Sequence, residues 1–241
     1  MDWDIVSQSL PDFADGLRVS LTLLAISLAS GLVFSLPLAI ARVSRRRWLS
    51  LPVRAFTYVL RGTPLLVQLF IVYYGFAQFE GLRSSVLWPL LREAWFCAWL
   101  AFALNTTAYT TEIFAGALRA TPQGEVEAAR AYGLSGWRLY ARILLPSALR
   151  RALPQYGNEV VGLLHATAIV STVTLVDVTR VARDVYANHL LPVEAFGTAA
   201  VIYFSLTFTL VGVFRLLEWR FLRHLRTERR PAAARLQPQA H

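Results

Sequence analysis

Lysine is absent from this chain; every one of its 24 basic residues is arginine. That excludes a Walker-type phosphate loop, whose lysine reaches the terminal phosphates. It equally excludes Ser-x-x-Lys and Schiff-base chemistry. Cysteine is almost absent too. Cys97 stands alone, so no internal disulfide forms, and in its apolar run it reads as a small core residue. The four histidines are scattered with no His-Glu-x-x-His or paired Cys/His spacing, which argues against a metal site.

What is abundant is apolar surface. The 241 residues are 56% hydrophobic, against about 45–50% for an ordinary soluble domain. Mean hydropathy is +0.46. A membrane helix needs roughly 20 apolar residues, and five segments qualify: 17–41, 55–79, 95–118, 156–178 and 195–217. The expected fold class is therefore all-α integral membrane with five transmembrane helices. The first sixteen residues carry Asp2, Asp4, Asp12 and Asp15 and lack the basic start of a cleaved signal peptide, so the first span is expected to be retained.

Arginine orients the spans. The 42–54 loop, the 119–151 loop and the stretch from Arg215 onward hold eighteen arginines, against five on the opposite side, with Arg61 inside the second span. Excess arginine marks the cytoplasmic face, placing the N-terminus outside and the C-terminus inside. The net charge of +9 is thereby explained by topology rather than by nucleic-acid binding. The chain divides into a membrane domain over 1–220 and a basic, Pro/Ala/Gln-containing tail over 221–241 that reads as disordered.

Polar residues inside spans mark helix contacts or cavities. Asn105, Tyr109 and Glu112 fall at i, i+4 and i+7 on one helical face. An amide, a phenol and a carboxylate there can hold an ammonium group, or else bond a neighbouring helix. Asn158 and His165 share a face of the fourth span. Glu159 beside them is expected about one turn in from the cytoplasmic end, at the depth of Glu112. Two acids at one depth invite a cation. The alternative is that Glu159 pairs with Arg61 or Arg151. Arg61-Gly62-Thr63-Pro64 should break the second helix near its inner end, with Gln68 following, because proline removes a backbone donor and broken backbone lines cavities. Arg61 can alternatively snorkel to the interface.

The loop 119–151 contains Glu127-Ala128-Ala129, then Gly133, then Ile143-Leu144-Leu145-Pro146. The first triplet is expected to open a short helix, Gly133 to turn the chain, and Pro146 to start the next helix. This spacing resembles the cytoplasmic coupling loop of membrane subunits of ATP-binding-cassette (ABC) importers. Arg61-Gly62-Thr63-Pro64-Leu65 and the 104–113 segment follow the order found in polar amino-acid importer permeases. Over roughly 16–220 the chain is most similar to the histidine and lysine/arginine/ornithine group, with Leu164-His165-Ala166-Thr167-Ala168 one reason.

The resemblance implies a type I ABC importer permease fold, set in the bacterial inner membrane as a multi-pass subunit. It implies no enzyme activity and no cofactor on this chain; ATP and magnesium would sit on a partner ATPase. Implied partners are a cytosolic ATPase dimer, a second permease subunit that is a different but homologous chain, a periplasmic amino-acid-binding protein and membrane lipid. It implies that Glu127, Ala128, Ala129, Gly133, Leu134, Ser135, Gly136, Ile143 and Pro146 serve coupling, and that Glu159, Glu112, Asn105, Tyr109, Asn158, His165, Gln68 and Arg61 line a path for a basic amino acid. Glutamine or another polar amino acid is the alternative substrate. Gly133-Leu134-Ser135-Gly136 also spells the Gly-x-Ser-Gly string of rhomboid proteases. An intramembrane serine protease is the alternative from a different class.

Overall fold

A computed structural model of the chain describes residues 3–222, and among these every regular element is helical. The proposed disorder of the tail falls outside the described residues from 223 onward.

The first helix, α1 (Trp3–Val43), has 41 residues. At about 1.5 Å per residue it is roughly twice as long as the ~30 Å hydrocarbon layer is thick. It therefore begins far ahead of the span expected from residue 17. The added turns are amphipathic: Phe13 is buried, with Ile5 and Leu17 packed alongside, against Val178, Val181, Ala182 and Val185. Further along, Ser27, Gly31, Ser35 and Ala39 repeat at four-residue spacing and bring α1 close to α6 (Ala94–Arg119). The approach is tight enough that a Cβ on Gly31 would lie 2.5 Å from Thr106 Cγ2.

The second span is two helices. The segment α2 (Arg47–Gly62) is followed by α3 (Leu65–Phe70), which runs on through a π-turn at Ile71–Gly75 and a 3-10 turn at Phe76–Gln78. The two halves meet at 102°. The break comes sixteen residues into the helix. The reason is that α2 starts well before residue 55: Arg47, Arg54 and Arg61 recur every seven residues and hide its first turns from a hydropathy reading.

Two short helices, α4 (Glu80–Arg83) and α5 (Trp88–Leu91), lead into α6, which matches its predicted bounds. Next come α7 (Gln123–Ala131) and α8 (Gly136–Leu139), a π-turn at Tyr140–Leu144, and α9 (Leu145–Ala166). The expected span over 156–178 is thus displaced. The helix begins earlier, and after Ala166 the chain turns through 3-10 backbone at Thr167–Thr172. The helix α10 (Val178–His189) was not expected. Asp177 caps it, accepting the amides of Thr179 and Arg180 at 3.1 and 3.0 Å, and Val178, Val181, Ala182 and Val185 form its buried face. Finally, α11 (Pro192–Phe221) runs past both ends of the predicted fifth span.

By length and hydropathy two helices qualify as membrane spans, the stretches Asp4–Val43 and Pro192–Phe221, or three if the bent pair counts as one. The central helices α6 and α9 carry more polar residues, and α6 is the most enclosed: Cys97, Ala98, Ala101 and Phe102 pack against Leu23, Leu69, Leu163 and Val170 in the main core.

Candidate functional site

Proline at position 64 leaves the carbonyl of Leu60 without the amide that a continuing helix would bring to it. Gln68 supplies the missing donor. Its Nε2 lies 2.6 Å from Leu60 O, 3.0 Å from Thr63 O and 2.8 Å from Thr63 Oγ1. Its Oε1 accepts Asn105 Nδ2 at 3.0 Å. Both amides are buried. Gln68 and Asn105 thus hold the bend between α2 and α3 rigid against α6, so their visible role is to position Arg61 just ahead of it.

The guanidinium of Arg61 lies over the ring of Tyr109, 5.1 Å from its centroid, and the Tyr109 hydroxyl donates to Arg61 O at 3.5 Å. Together they form one corner of a cavity of about 670 Å³. Its other walls are Glu112, Ile113 and Gly116 from α6, and Arg151, Gln155, Asn158 and Glu159 from α9. A Cβ on Gly116 would meet nothing, so the stripe at 105, 109, 112 and 116 ends in open space.

The two carboxylates differ in their surroundings. Glu112 accepts Arg42 Nε at 2.6 Å and Thr57 Oγ1 at 2.7 Å, tying α1, α2 and α6 together. Glu159 forms no ion pair among the described residues. Because α9 starts at Leu145, Glu159 sits about four turns into its helix rather than one. Nevertheless it shares the cavity with Glu112. Arg151 is not its partner: that side chain bonds Ser147 and pairs with Glu125 on α7 at 3.4 Å. His165 does not line the cavity; its Nε2 meets Thr207 Oγ1 on α11 at 2.9 Å.

The loop residues assemble differently from the expectation. Glu127-Ala128-Ala129 lies in the second half of α7, not at its start, because Pro122 sets the helix entry. Gly133 has φ +78°. Leu134 N donates to Ala129 O at 3.0 Å and Gly133 N to Arg130 O at 2.9 Å, the paired closing bonds of a Schellman motif. Pro146 is the second residue of α9, where its missing amide costs nothing, so it opens that helix as expected; the wide turn at Tyr140–Leu144 leads directly into it, and helical backbone runs from Gly136 to Ala166. Ser135 stands exposed in the turn ahead of α8. Sequence reasoning missed the Arg42–Glu112–Thr57 contact, for which no local spacing gives a signal, and the Glu125–Arg151 pair.

Residues 31–223 match the model of the family described as binding-protein-dependent transport system inner membrane component. The chain belongs to that family. It is 47% identical over 212 residues to the histidine/lysine/arginine/ornithine transport system permease protein HisM of Escherichia coli K12, covering 88% of this chain and 89% of that protein. It is 46% identical over 216 residues to the octopine transport system permease protein OccM of Rhizobium meliloti, covering 90% and 88%. Among solved structures, it superposes on a chain of an amino acid ABC transporter crystallised with histidines. The TM-score is 0.81 at 30% identity, over 91% of this chain and 99% of that one. A chain of the MetNI methionine ABC transporter gives a TM-score of 0.74 at 18% identity, over 87% and 96%, which supports the fold. As an inner membrane component, the permease is a transport subunit, with the all-helical fold of ABC importer permeases.

Proposed function

We propose that this permease forms the translocation path for basic amino acids in an ATP-driven importer. The observation that carries this reading is the cavity between α2, α6 and α9, with Arg61 on one wall and the ion-pair-free Glu159 on another. An arginine, lysine, ornithine or histidine molecule has a carboxylate for the first and a cationic group for the second. Tyr109 and Asn158 add a ring face and an amide. The volume falls within the roughly 300–1,000 Å³ typical of small-ligand pockets. Glu112 contributes a wall, with Gln68 and Asn105 behind it, and His165 stands beyond the cavity toward α11.

The same reading assigns five spans, an outside N-terminus and an inside C-terminus, on the arginine distribution. A cytosolic ATPase dimer, loaded with ATP and magnesium, would press on α7 and the turn after it. That surface presents Glu127, Ala128 and Gly133, and Tyr132 and Trp137 stand 89% and 68% exposed beside them. The Glu125–Arg151 pair gives the movement a route, since Arg151 also lines the cavity. A second, homologous permease chain and a periplasmic binding protein complete the complex.

Uptake into proteoliposomes holding the whole complex tests the substrate. ATP-dependent accumulation of labelled arginine, lysine or histidine well above that of glutamine is expected. Glutamine taken up equally well would overturn the basic assignment. Gly133 tests the coupling turn. Its positive φ costs a residue with a branched side chain about 1–3 kcal/mol. Nothing lies within 4 Å of an added Cβ, so strain rather than a clash is the cause. Gly133→Val should leave insertion intact but abolish most arginine-stimulated ATP hydrolysis, whereas Gly133→Asn, which tolerates this backbone, should retain it. Equal activity of the two variants would refute the role of the turn.

A further inference from the structure

Between Asp15 and Glu80 the sequence contains no acidic residue, yet it places seven arginines there. Three of them, Arg42, Arg47 and Arg54, line one groove of about 470 Å³ where the end of α1 turns into α2. Ser44, Ser50 and Leu51 complete its walls. Arg42 reaches Glu112 through Nε. Arg47 and Arg54 form no ion pair among the described residues. The first turn of α2 adds partial positive charge, because its N-cap, Arg46, offers no side-chain acceptor. The guanidiniums of Arg47 and Arg54, beside an Arg42 already held by Glu112, repel one another unless a further anion sits between them.

Topology explains why arginines lie on this side of the membrane, but not why they converge on a groove. The surroundings identify the anion. Trp48 and Leu51 stand 68% and 55% exposed at the same level, one beside the groove and one in its wall. Tryptophan at a helix foot is typical of the membrane interface. A free phosphate would satisfy the guanidiniums and leave this apolar surface wet. An amphiphile satisfies both.

We propose that this groove holds the phosphate headgroup of an anionic phospholipid of the cytoplasmic leaflet, with Arg47 and Arg54 gripping the phosphate and Leu51 and Trp48 contacting the glycerol and upper acyl chain. Guanidinium forks match phosphate oxygens in pairs, and the two serine hydroxyls lie within the same wall as further donors. The leaflet follows from the orientation proposed above; the lipid binding itself is read without transport.

Native mass spectrometry of the purified complex, titrated with phosphatidylglycerol and phosphatidylcholine, tests this. Phosphatidylglycerol should be retained about tenfold more strongly or better. Arg47→Gln/Arg54→Gln should abolish that preference, while Arg45→Gln/Arg46→Gln, which removes the same charge outside the groove, should keep it. Excess inorganic phosphate should leave the lipid bound. Equal retention of the two lipids, equal loss in both double variants, or full displacement by phosphate would each overturn the proposal. A groove covered instead by the second permease subunit gives no phosphatidylglycerol adduct on the wild-type complex, which also overturns it. Should the Arg47/Arg54 variant fail to assemble, brominated phosphatidylglycerol replaces that arm. It should quench wild-type tryptophan fluorescence more than that of Trp48→Phe, and equal quenching counts against the site.

Discussion

Glu112→Ala should destabilise the folded permease by about 3–5 kcal/mol, because it strands the Arg42 guanidinium in a largely buried position. The two side chains are 19% and 16% exposed and meet at 2.6 Å. Thr57 Oγ1 bonds the same carboxylate oxygen, so one deletion loosens α1, α2 and α6 together. A loss of this size is a large share of the ~5–15 kcal/mol that holds a typical domain folded. Thermal unfolding in detergent, read as a fall in midpoint and in yield of assembled complex, measures it. Arg42→Met/Glu112→Leu should recover most of the loss, since an apolar pair of similar volume leaves no charge behind. A double-mutant cycle with no coupling between the two positions would refute the contact.

That contact also shows where the sequence was mute. Arg42 and Glu112 are seventy residues apart, and no periodicity links them. The Asn105–Tyr109–Glu112 stripe was legible, because i, i+4, i+7 spacing alone defines a helical face. Which of those groups would spend their hydrogen bonds on neighbours was not. Gln68 falls between these cases. A proline at 64 implies a vacant carbonyl at 60, and a nearby amide donor is a natural candidate to fill it. The bounds of α6 were readable because its apolar run begins and ends sharply. The start of α2 was not, since Arg47 and Arg54 lower its hydropathy, and α10 was hidden in the tail of an apolar stretch although Asp177 is a plain capping signal. The Glu127-Ala128-Ala129 triplet was legible as a motif, but its place within α7 was not, because Pro122 rather than the triplet marks the helix start.

The division between the two acids has a functional consequence. Arg42 already offsets the charge of Glu112, so a passing cation is drawn to it less strongly, although both of its bonds fall on Oε1. Arg151 is likewise engaged by Glu125 and Ser147. Of the acidic and basic side chains on the cavity wall, Arg61 and Glu159 are those without an ion pair among the described residues, one basic and one acidic. Such an arrangement suits a ligand that is itself dipolar and carries one extra positive charge. A neutral amino acid offers its ammonium to Glu159 but leaves no cationic side chain to discriminate it from competitors.

Glu159→Gln should therefore weaken the permease's response to arginine while leaving the complex assembled. A charge-assisted contact contributes about 1.5–3 kcal/mol, or roughly ten- to a hundredfold in affinity. Glutamine keeps the size and a hydrogen-bonding oxygen, so packing against α6 is preserved and charge alone is removed. The half-maximal arginine concentration for stimulated ATP hydrolysis, measured at saturating binding protein, should rise by that factor, with basal hydrolysis and thermal midpoint unchanged. A neutral substrate assayed in parallel should lose less. The contrast with Glu112→Ala is the diagnostic part, because one acid should cost stability and the other response to ligand. If Glu159→Gln responds to arginine with wild-type sensitivity, the carboxylate does not meet the cation, and selectivity lies in the binding protein instead. If it fails to assemble, Glu159 is a structural group, and the open side of the cavity belongs to packing between subunits.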